Sequence, residues 1–308
     1  MSVVIPAYNR PDLLENAIRA IENQSLKGGF ECIIVYGGDE KVREICEKKA
    51  KESKGLFSCF WSDTESPARK RNIGAKKASA PIIAFTDDDC VPNKNWLEEI
   101  LMKFAEDGGI AGVEGLTYTE GKKEVYSNAP VNLKGGLFPT CNLSFRASVL
   151  RRAGGFDESY HFYREDTDIA FRAMEFGKVV FCEKARVLHP QRRVGLLRPI
   201  ETLLLLKEDV RLFKKMPEKY AKFLGKGFLA DLAKVAASWI AFAMAVFGFY
   251  SSNIIFVPGG VLAYLVFWAS LLRGVEASST ELIVFLMLNF VRALAFPFYF
   301  LYYWAVVK

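Results

Sequence analysis

The chain has 308 residues, of which 51% are hydrophobic and 25% are charged, and its formal net charge is +6. This length allows one large domain or two smaller ones, and the hydrophobic fraction is ample for a core. The basic residues concentrate between Arg186 and Lys226, without the aromatic and basic pattern of a nucleic-acid-binding module, so we expect membrane lipids rather than nucleic acid as partners.

Hydrophobicity is distributed unevenly along the chain. Charged and apolar residues are mixed up to about Arg198, whereas long apolar runs with very few charges begin at Val235. This change predicts a soluble domain followed by a membrane domain. Residues 1–10 lack the basic start and the long apolar centre of a signal peptide, so we expect the soluble part in the cytosol. The six cysteines are widely spaced, which is typical of reduced core residues.

Short apolar strands and amphipathic helices alternate from the start of the chain. Strands are predicted at residues 3–5, 32–35, 56–60, 82–86, 110–113 and 140–145. Helices are predicted at residues 13–21, 40–53, 67–80, 96–105, 148–153 and 167–176. Residues 119–138 are polar and glycine-rich and receive no assignment. The alternation indicates right-handed βαβ units and an α/β fold with a mainly parallel sheet.

The strand that begins at Pro81 is followed by three consecutive carboxylates, Asp87, Asp88 and Asp89. Its residues up to Phe85 carry no polar side chain, which indicates a buried strand with the aspartates at its carboxyl end. Ligands of open α/β sheets bind at that edge. In extended chain Asp87 and Asp89 point to the same side, which suits two oxygen ligands of Mg²⁺ or Mn²⁺. The alternative is an ordinary acidic loop.

The chain after Arg198 begins with an amphipathic segment. Basic residues flank one apolar line, which runs through Leu203, Leu206, Val210 and Phe213. This pattern is typical of a helix that lies in the plane of the lipid headgroups, and the alternative is a helix packed on the soluble domain.

Three apolar runs follow and predict about three membrane-spanning helices, at residues 235–250, 254–272 and 282–307. Lysines and arginines crowd the chain before the first run, which places the soluble domain on the cytosolic side. We therefore expect three regions: a soluble domain at 1–197, interfacial helices at 198–230 and a transmembrane domain at 231–308. Asn289 and Arg292 lie within the third run, and the alternatives there are contact with a lipid phosphate, or pairing with a neighbouring helix or extension of the charged side chain toward the membrane surface.

Five short motifs occur in order within the first 190 residues, at Val3–Arg10, Arg71–Gly74, Thr86–Asp89, Gly154–Asp157 and Glu165–Asp168. Together they resemble the family 2 glycosyltransferases of the GT-A fold, which is Rossmann-like. With the membrane segments that follow, the architecture is similar to polyprenyl-phosphate sugar transferases, including mannose synthases, and to a minimal cellulose synthase. Residues 191–195 lack the tryptophan of the glutamine-and-tryptophan motif of cellulose synthases, which disfavours a processive polymerase.

The resemblance implies a role for each acidic cluster. Asp87 and Asp89 would hold Mn²⁺ or Mg²⁺, which neutralises the leaving diphosphate, and His189 would be a third metal ligand or a structural residue. Asp166 would be the catalytic base that takes the proton of the acceptor hydroxyl during an inverting attack. Glu165 and Asp166 also stand where acidic residues cap a helix, and both roles are compatible.

The resemblance also implies a nucleotide-sugar pocket, with the candidate residues Pro6, Ala7, Tyr8, Arg10, Asp39, Arg71, Asn72, Asp87, Asp88, Glu165 and Arg193. Family members commonly carry two aspartates after the second strand, the latter reading uracil, but this chain has Gly37 and Gly38. Either Asp39 substitutes or the base is read differently. This departure weakens the case for a UDP-sugar, and the resemblance to polyprenyl-phosphate mannose synthases implies GDP-mannose as the donor.

The expected function is metal-dependent, inverting transfer of mannose from a nucleotide sugar to a lipid-linked acceptor at the cytosolic membrane face. The acceptor is a polyprenyl phosphate or a lipid-linked oligosaccharide, as in N-glycan or other lipid-linked glycan biosynthesis. A second candidate is a UDP-sugar-dependent transferase that acts on polyprenyl phosphate. The rival from another class is an inactive, lipid-tethering glycosyltransferase-like module, which the acidic motifs disfavour because a binding module has no use for Asp166.

Overall fold

The computed structural model describes residues 1–253 and 255–307. Ile254, where the second predicted membrane run begins, and Lys308, at the end of the predicted membrane domain, lie outside the described residues. The chain forms two compact units. The first comprises Met1–Glu120 and Ala129–Gln191, and the second comprises Gly121–Asn128 and Arg192–Lys308.

The strands, in chain order, are β1 (Ser2–Tyr8), β2 (Glu31–Gly37), β3 (Phe57–Trp61), β4 (Ile82–Phe85), β5 (Val91–Pro92), β6 (Ile110–Tyr118), β7 (Lys123–Glu124), β8 (Ser127–Asn128), β9 (Leu143–Arg146), β10 (Lys178–Leu188), β11 (Arg192–Arg193) and β12 (Val275–Glu276). The helices are α1 (Pro11–Glu22), α2 (Glu40–Glu52), α3 (Pro67–Lys77), α4 (Trp96–Glu106), α5 (Ala147–Arg152), α6 (Glu165–Ala173), α7 (Arg198–Lys215), α8 (Pro217–Tyr250), α9 (Phe256–Leu271) and α10 (Ser279–Val306).

The first unit contains one sheet of eight strands in the order β3-β2-β1-β4-β9-β6-β10-β5. The pairs β1–β2, β1–β4, β2–β3 and β6–β10 are parallel. Strands β5 and β9 run antiparallel to their neighbours. The sheet is therefore mixed and mostly parallel, and the predicted α/β fold is confirmed. The antiparallel direction of β9 was not part of the prediction.

The core of the first unit is built on the apolar strands β1, β2 and β4. Their side chains are buried on both faces of the sheet, as expected for strands covered by helices. Helix α1 covers the sheet with four apolar side chains at helical spacing, Leu14, Ala17, Ile18 and Ile21. Helix α3 approaches β1 closely at Gly74, where an added Cβ would lie 2.4 Å from Val4 Cγ1. A glycine is therefore needed for α3 to pack this closely against the side chains of the sheet.

The strand directions bring the ends of β1, β2, β4 and β10 to the same edge of the sheet. Tyr8 and Gly37 end β1 and β2, the aspartates follow β4, and His189 follows β10. This is the edge at which open α/β sheets bind ligands. The candidate site is therefore assembled by the fold from segments that are distant in sequence.

The second unit contains α7 to α10 and two small sheets, a parallel pair of β7 and β12 and an antiparallel pair of β8 and β11. Two described helices, α8 and α10, are long and apolar enough to cross a membrane. Helix α9 is apolar but has 16 residues, or about 24 Å, less than the roughly 30 Å of a hydrocarbon core. Helix α8 runs without a break through residue 230. The domain boundaries at 197 and 230 stay predictions.

The amphipathic segment and Arg292 both find partners within the second unit. Leu203, Leu206 and Val210 on α7 are buried in one cluster with residues of α10, so this apolar line packs on protein. The position of α7 in the headgroup plane stays a prediction. Arg292 donates its Nε to Thr202 Oγ1 at 2.8 Å and lies 3.7 Å from Asp231. Of the alternatives for Arg292, the structure supports contact with neighbouring helices.

Candidate active site

Asp88 and Asp89 are held by Tyr8, the last residue of β1, and by Arg10. The backbone N–H of Tyr8 donates to Asp88 Oδ2 at 2.9 Å. The guanidinium of Arg10 lies 2.9 Å from Asp88 Oδ1 and 2.7 Å from Asp89 Oδ2. Both aspartates are buried, where an ionised carboxylate is stable only when it is paired. Arg10 therefore compensates two of the three like charges that the sequence places in a row.

Asp87 takes a different partner, Arg71 of α3. Arg71 donates Nη2 to Asp87 Oδ1 at 2.7 Å and Nη1 to Glu165 Oε1 at 3.0 Å. Its side chain is only 4% exposed. Burial acts to raise the pKa of Asp87, but Arg71 holds this pKa below its ordinary value. A single guanidinium thus joins the acidic cluster after β4 to the acidic cluster at the start of α6.

Asp166 is half-buried in the first turn of α6. The backbone N–H of Thr167 donates to its Oδ1 at 2.6 Å. Burial, together with the neighbouring Glu165, raises the pKa of Asp166 to about 7. A carboxylate with a pKa near neutrality is suited to take up a proton at physiological pH. Directly before this pair, Arg164 has a φ of 71°, an uncommon conformation that clusters at functional sites.

Other residues of the motifs hold the scaffold around Asp166. Asn72 exchanges two hydrogen bonds with the backbone of Phe156, at 2.9 and 2.8 Å. The preceding Gly155 has a φ of 72°, and a Cβ there would lie 2.7 Å from Asn72 Oδ1. Asp168 is fully buried and pairs with Arg172 at 2.5 Å. These contacts fix the turn before α6, and the predicted contact of Asn72 with the nucleotide sugar stays a prediction.

His189 lies beside Asp89, with its Nε2 3.7 Å from Asp89 Oδ1. Its Nδ1 lies 3.0 Å from the carbonyl oxygen of Pro190. Because a carbonyl only accepts, Nδ1 carries a proton in this contact, which would leave the lone pair of Nε2 for a cation bound beside Asp89. Two such atoms fit ligands that each lie about 2.1 Å from one divalent cation. Asp89 and His189 therefore fit a metal site, and the thiol of Cys90 lies close to both.

Asp87 is grouped with Cys90 and Cys141, and Cys90 is also close to Asp89 and His189. The ligand atoms of Asp87, Cys90 and Cys141 lie within 4.8 Å of one another, and Asp87 Oδ1 is engaged by Arg71. Ligation of a metal by Asp87 requires its carboxylate to serve Arg71 and the cation together. The predicted metal role of Asp87 stays a prediction.

The end of β2 has glycine in place of an acidic side chain, and the backbone of Ser62 lies close to it. At Gly37 an added Cβ would lie 2.5 Å from the carbonyl oxygen of Ser62. Asp39 accepts a hydrogen bond from the backbone N–H of Val42 at 2.9 Å and so caps α2. Its backbone N–H donates to Asn9 Oδ1 at 2.7 Å. Asp39 thus has a local structural role, and its contact with the base stays a prediction.

Arg193 belongs to the second unit and is described with it. Its Nη2 donates to Glu281 Oε1 at 2.9 Å, and its Nε lies 3.4 Å from Glu124 Oε2. The side chain is 74% exposed. The predicted contact of Arg193 with the nucleotide sugar stays a prediction.

Lys70 was not predicted from the sequence, although it borders the predicted nucleotide pocket. Its Nζ donates to the carbonyl oxygen of Ala7 at 2.7 Å and lies 4.4 Å from the centre of the Tyr8 ring. Lys70 stands four residues before Gly74, so both share the face of α3 that packs on β1. A lysine on a sheet-facing helix position was the signal that could have revealed it.

Residues 2–152 match the family model described as glycosyl transferase family 2. The chain contains a family 2 glycosyltransferase domain. Among curated relatives, the glycosyltransferase AglE of Haloferax volcanii is 25% identical over 217 residues, which cover 63% of this chain and 71% of the relative. The pre-mycofactocin glycosyltransferase of Mycobacterium tuberculosis is 29% identical over 216 residues, but this match covers only 43% of that protein.

Two solved structures are similar to this protein over nearly the whole chain. The mannosyltransferase PcManGT from Pyrobaculum calidifontis, in complex with GDP-Man and Mn²⁺, has a TM-score of 0.63 at 14% identity and matches 96% of this chain and 86% of its own. Residues 1–349 of TarS from S. aureus, in complex with UDP, have a TM-score of 0.55 at 16% identity, covering 96% and 90%. At these identities the likeness concerns the fold, and the glycosyltransferase domain is GT-A-like as the sequence predicted.

Proposed function

We propose that this glycosyltransferase is metal-dependent and inverting, and that it transfers mannose from GDP-mannose to a lipid-linked acceptor. The observation that carries the proposal is the contact of Arg71 with both Asp87 and Glu165. This contact brings a carboxylate cluster suited to a diphosphate–metal group next to Asp166, whose pKa suits a base. A lipid-tethering module needs no carboxylate with these properties.

The residues of the chain have separate tasks in the proposed reaction. Asp89 and His189 hold Mn²⁺ or Mg²⁺, which when bound supplies charge neutralisation for the leaving diphosphate. Arg71 engages Glu165, which leaves Asp166 to take the proton of an acceptor hydroxyl, or of an acceptor phosphate that still carries one, as the acceptor oxygen attacks. The acceptor oxygen attacks the anomeric carbon from the side opposite the diphosphate, and the configuration inverts. Arg71 also orients Asp87 for the nucleotide end of the donor.

The choice of donor follows from the end of β2. Gly37 presents no carboxylate to the imide of a uracil ring, and Asp39 is engaged as the cap of α2. The structurally similar PcManGT was solved with GDP-Man, which supports GDP-mannose as the first candidate. The structurally similar TarS was solved with UDP, so a UDP-sugar acting with a polyprenyl phosphate acceptor is the second candidate.

The proposed acceptor is a polyprenyl phosphate or a lipid-linked oligosaccharide, reached from the cytosolic side of the membrane. Two helices of the second unit are long and apolar enough to span a bilayer, which supports an integral membrane protein. The basic residues before α8 support a cytosolic glycosyltransferase domain, because lysine and arginine accumulate on that side.

The test uses the full chain in lipid vesicles with Mn²⁺ and polyprenyl phosphate. Radiolabelled GDP-mannose, UDP-glucose and UDP-N-acetylglucosamine are compared, and transfer is measured as label in the organic phase. The proposal predicts label from GDP-mannose, lost after chelation of the metal. Label from a UDP-sugar alone would reject GDP-mannose but retain the transferase. Nucleotide binding without transfer from any donor would favour the inactive, lipid-tethering module.

A further inference from the structure

The peptide group between Ala7 and Tyr8 is held by two buried charges of opposite sign. Its carbonyl oxygen accepts from Lys70 Nζ at 2.7 Å, and its N–H donates to Asp88 Oδ2 at 2.9 Å. The exposed fractions of Lys70 and Asp88 are 1% and 0%. Because the C=O and N–H of a trans peptide point in opposite directions, the two side chains hold this peptide from opposite sides.

This peptide lies where β1 loses one of its strand neighbours. Strand β4 pairs with β1 only over Ser2–Val4, whereas β2 pairs with it as far as Tyr8. The last residues of β1 therefore extend past the end of β4. Backbone polar groups in such a buried position need other partners. Asp88, from the turn after β4, provides one for the N–H of Tyr8, while Lys70 from α3 adds a hydrogen bond to the carbonyl of Ala7 on the opposite side.

Lys70 also fixes the side chain that follows the peptide. Its Nζ lies 4.4 Å from the centre of the Tyr8 ring, within the range of a cation–π contact. The Tyr8 hydroxyl donates to Glu65 Oε1 at 2.6 Å. The ring is thus held at its face and at its tip, while Tyr8 remains half-buried. Both the backbone and the ring orientation of Tyr8 depend on Lys70.

Gly37 leaves room for the ammonium group. An added Cβ at Gly37 would lie 3.3 Å from Lys70 Nζ. An acidic side chain at this place would attract the ammonium away from Ala7. The glycine at the end of β2 and the buried lysine in α3 are therefore two parts of one arrangement.

We propose that Lys70 is a positioning residue for nucleotide binding. It is too deeply buried to contact the ligand, and it acts by holding the Ala7–Tyr8 peptide and the Tyr8 ring in the binding conformation. This inference rests on the proposed nucleotide-sugar transfer. Burial disfavours the charged form of Lys70 and lowers its pKa to about 8, although Asp88 acts to raise this pKa. The charged groups that act on Lys70 are Asp88, Arg10 and Glu65.

The experiment compares Lys70→Met and Lys70→Gln with the wild-type chain, and Lys76→Met, exposed on the same helix, is the matched control. Calorimetric binding of GDP and of UDP is measured with Mn²⁺ on the full chain in detergent. For the nucleotide that the wild type binds, we expect Lys70→Met to weaken binding by about tenfold or more, because a charge-assisted hydrogen bond is lost. Lys70→Gln, which keeps a donor without the charge, is expected to recover part of this loss.

A positioning role also predicts that the substitution changes KM but not kcat. The KM for the sugar donor rises in Lys70→Met, while kcat at saturating donor and the folded fraction measured by circular dichroism stay near wild type. Binding unchanged in folded Lys70→Met, or a fall in kcat at constant KM, would overturn the inference. If Lys70→Met does not fold, the binding of Lys70→Gln decides alone. Failure of the wild type to bind either nucleotide would reject the proposed function itself, and the role of Lys70 with it.

Discussion

Arg71 is the residue on which the two acidic clusters depend. Its guanidinium spans from Asp87 to Glu165, which are brought together only in the folded chain. Burial acts to lower the pKa of Arg71, but Asp87 and Glu165 raise it above its ordinary value, so the residue stays charged. A lysine has neither the fork nor the reach to serve both carboxylates at once.

Replacing Arg71 by methionine is expected to destabilise the first unit. The change leaves Asp87 and Glu165 without their shared partner, and breaking a buried ion pair costs about 3–5 kcal/mol. Chemical denaturation followed by circular dichroism measures this loss. Arg69→Met, at an exposed position of the same helix, is the control and is expected to stay within about 0.5 kcal/mol of wild type. Equal stability of the two variants would contradict the role given to Arg71.

The pH dependence of transfer follows from Asp166. Burial and Glu165 raise its pKa to about 7, so the proposed base is mostly ionised above that pH and mostly protonated below it. We expect kcat/KM to rise by about tenfold per pH unit below pH 7 and to level off above it. A pH–rate profile at saturating Mn²⁺ measures this. A plateau that begins near pH 5 would show that the base has an ordinary carboxylate pKa.

The raised pKa of Asp166 also affects the free energy of unfolding, which falls with rising pH where the rate of transfer rises. Between the unperturbed pKa of 3.8 and the folded value of about 7, the folded chain keeps a proton on Asp166 that the unfolded chain has released. The contribution of this group to stability is therefore fully present below about pH 4 and decreases as the pH rises to about 7. The free energy of unfolding is measured by chemical denaturation at pH 5 and at pH 8. Between these two pH values, it is expected to fall more in wild type than in Asp166→Asn.

At the scale of elements, α3 is the helix that carries the site. Lys70, Arg71 and Asn72 are consecutive on it, and they reach β1, the acidic clusters and the turn before α6 respectively. Gly74 sets the distance of this helix from the sheet. A small displacement of α3 therefore changes all three sets of contacts together.

Substituting alanine for Gly74 is expected to push α3 away from β1. The added Cβ would lie 2.4 Å from Val4 Cγ1, and overpacking of this kind costs about 1–3 kcal/mol. The midpoint temperature of thermal unfolding and the affinity for the nucleotide should both decline. Gly225→Ala in α8 is the matched control, because no atom lies within 4 Å of its added Cβ and alanine favours helix. If Gly74→Ala proved as stable as the control, close packing would not be what positions α3.

The elements that sequence predicted are those with a local signal. The apolar runs of β1, β2 and β4 and the helical spacing in α1 identify these elements because burial requires them. The antiparallel direction of β9 was not predictable, since a strand has the same side-chain pattern in either direction. Strands β7 and β8 have two residues each and exist through pairing with distant β12 and β11, so no local pattern marks them.

At the scale of the whole molecule, composition distinguished a part of mixed composition from an apolar part, but it did not predict how the structure divides the chain. The short segment Gly121–Asn128 belongs to the second unit although the first unit surrounds it in sequence. In the candidate site, the residue types of Asp87, Asp89 and Asp166 were evident from sequence. Their partners Arg71 and Arg10 were named only as pocket residues, and Lys70 was missed, because pairing depends on distances that only the fold fixes.

The central claim is that Asp166 is the base of a glycosyl transfer reaction. Asp166→Asn removes the proton acceptor and keeps the size of the side chain, so the full chain in vesicles should bind GDP with Mn²⁺ as wild type does. Asp12→Asn, exposed on α1, is the matched control. The account predicts that transfer of radiolabelled mannose falls by about 100-fold or more in Asp166→Asn and is unchanged in the control. Transfer at the wild-type rate by Asp166→Asn would contradict it.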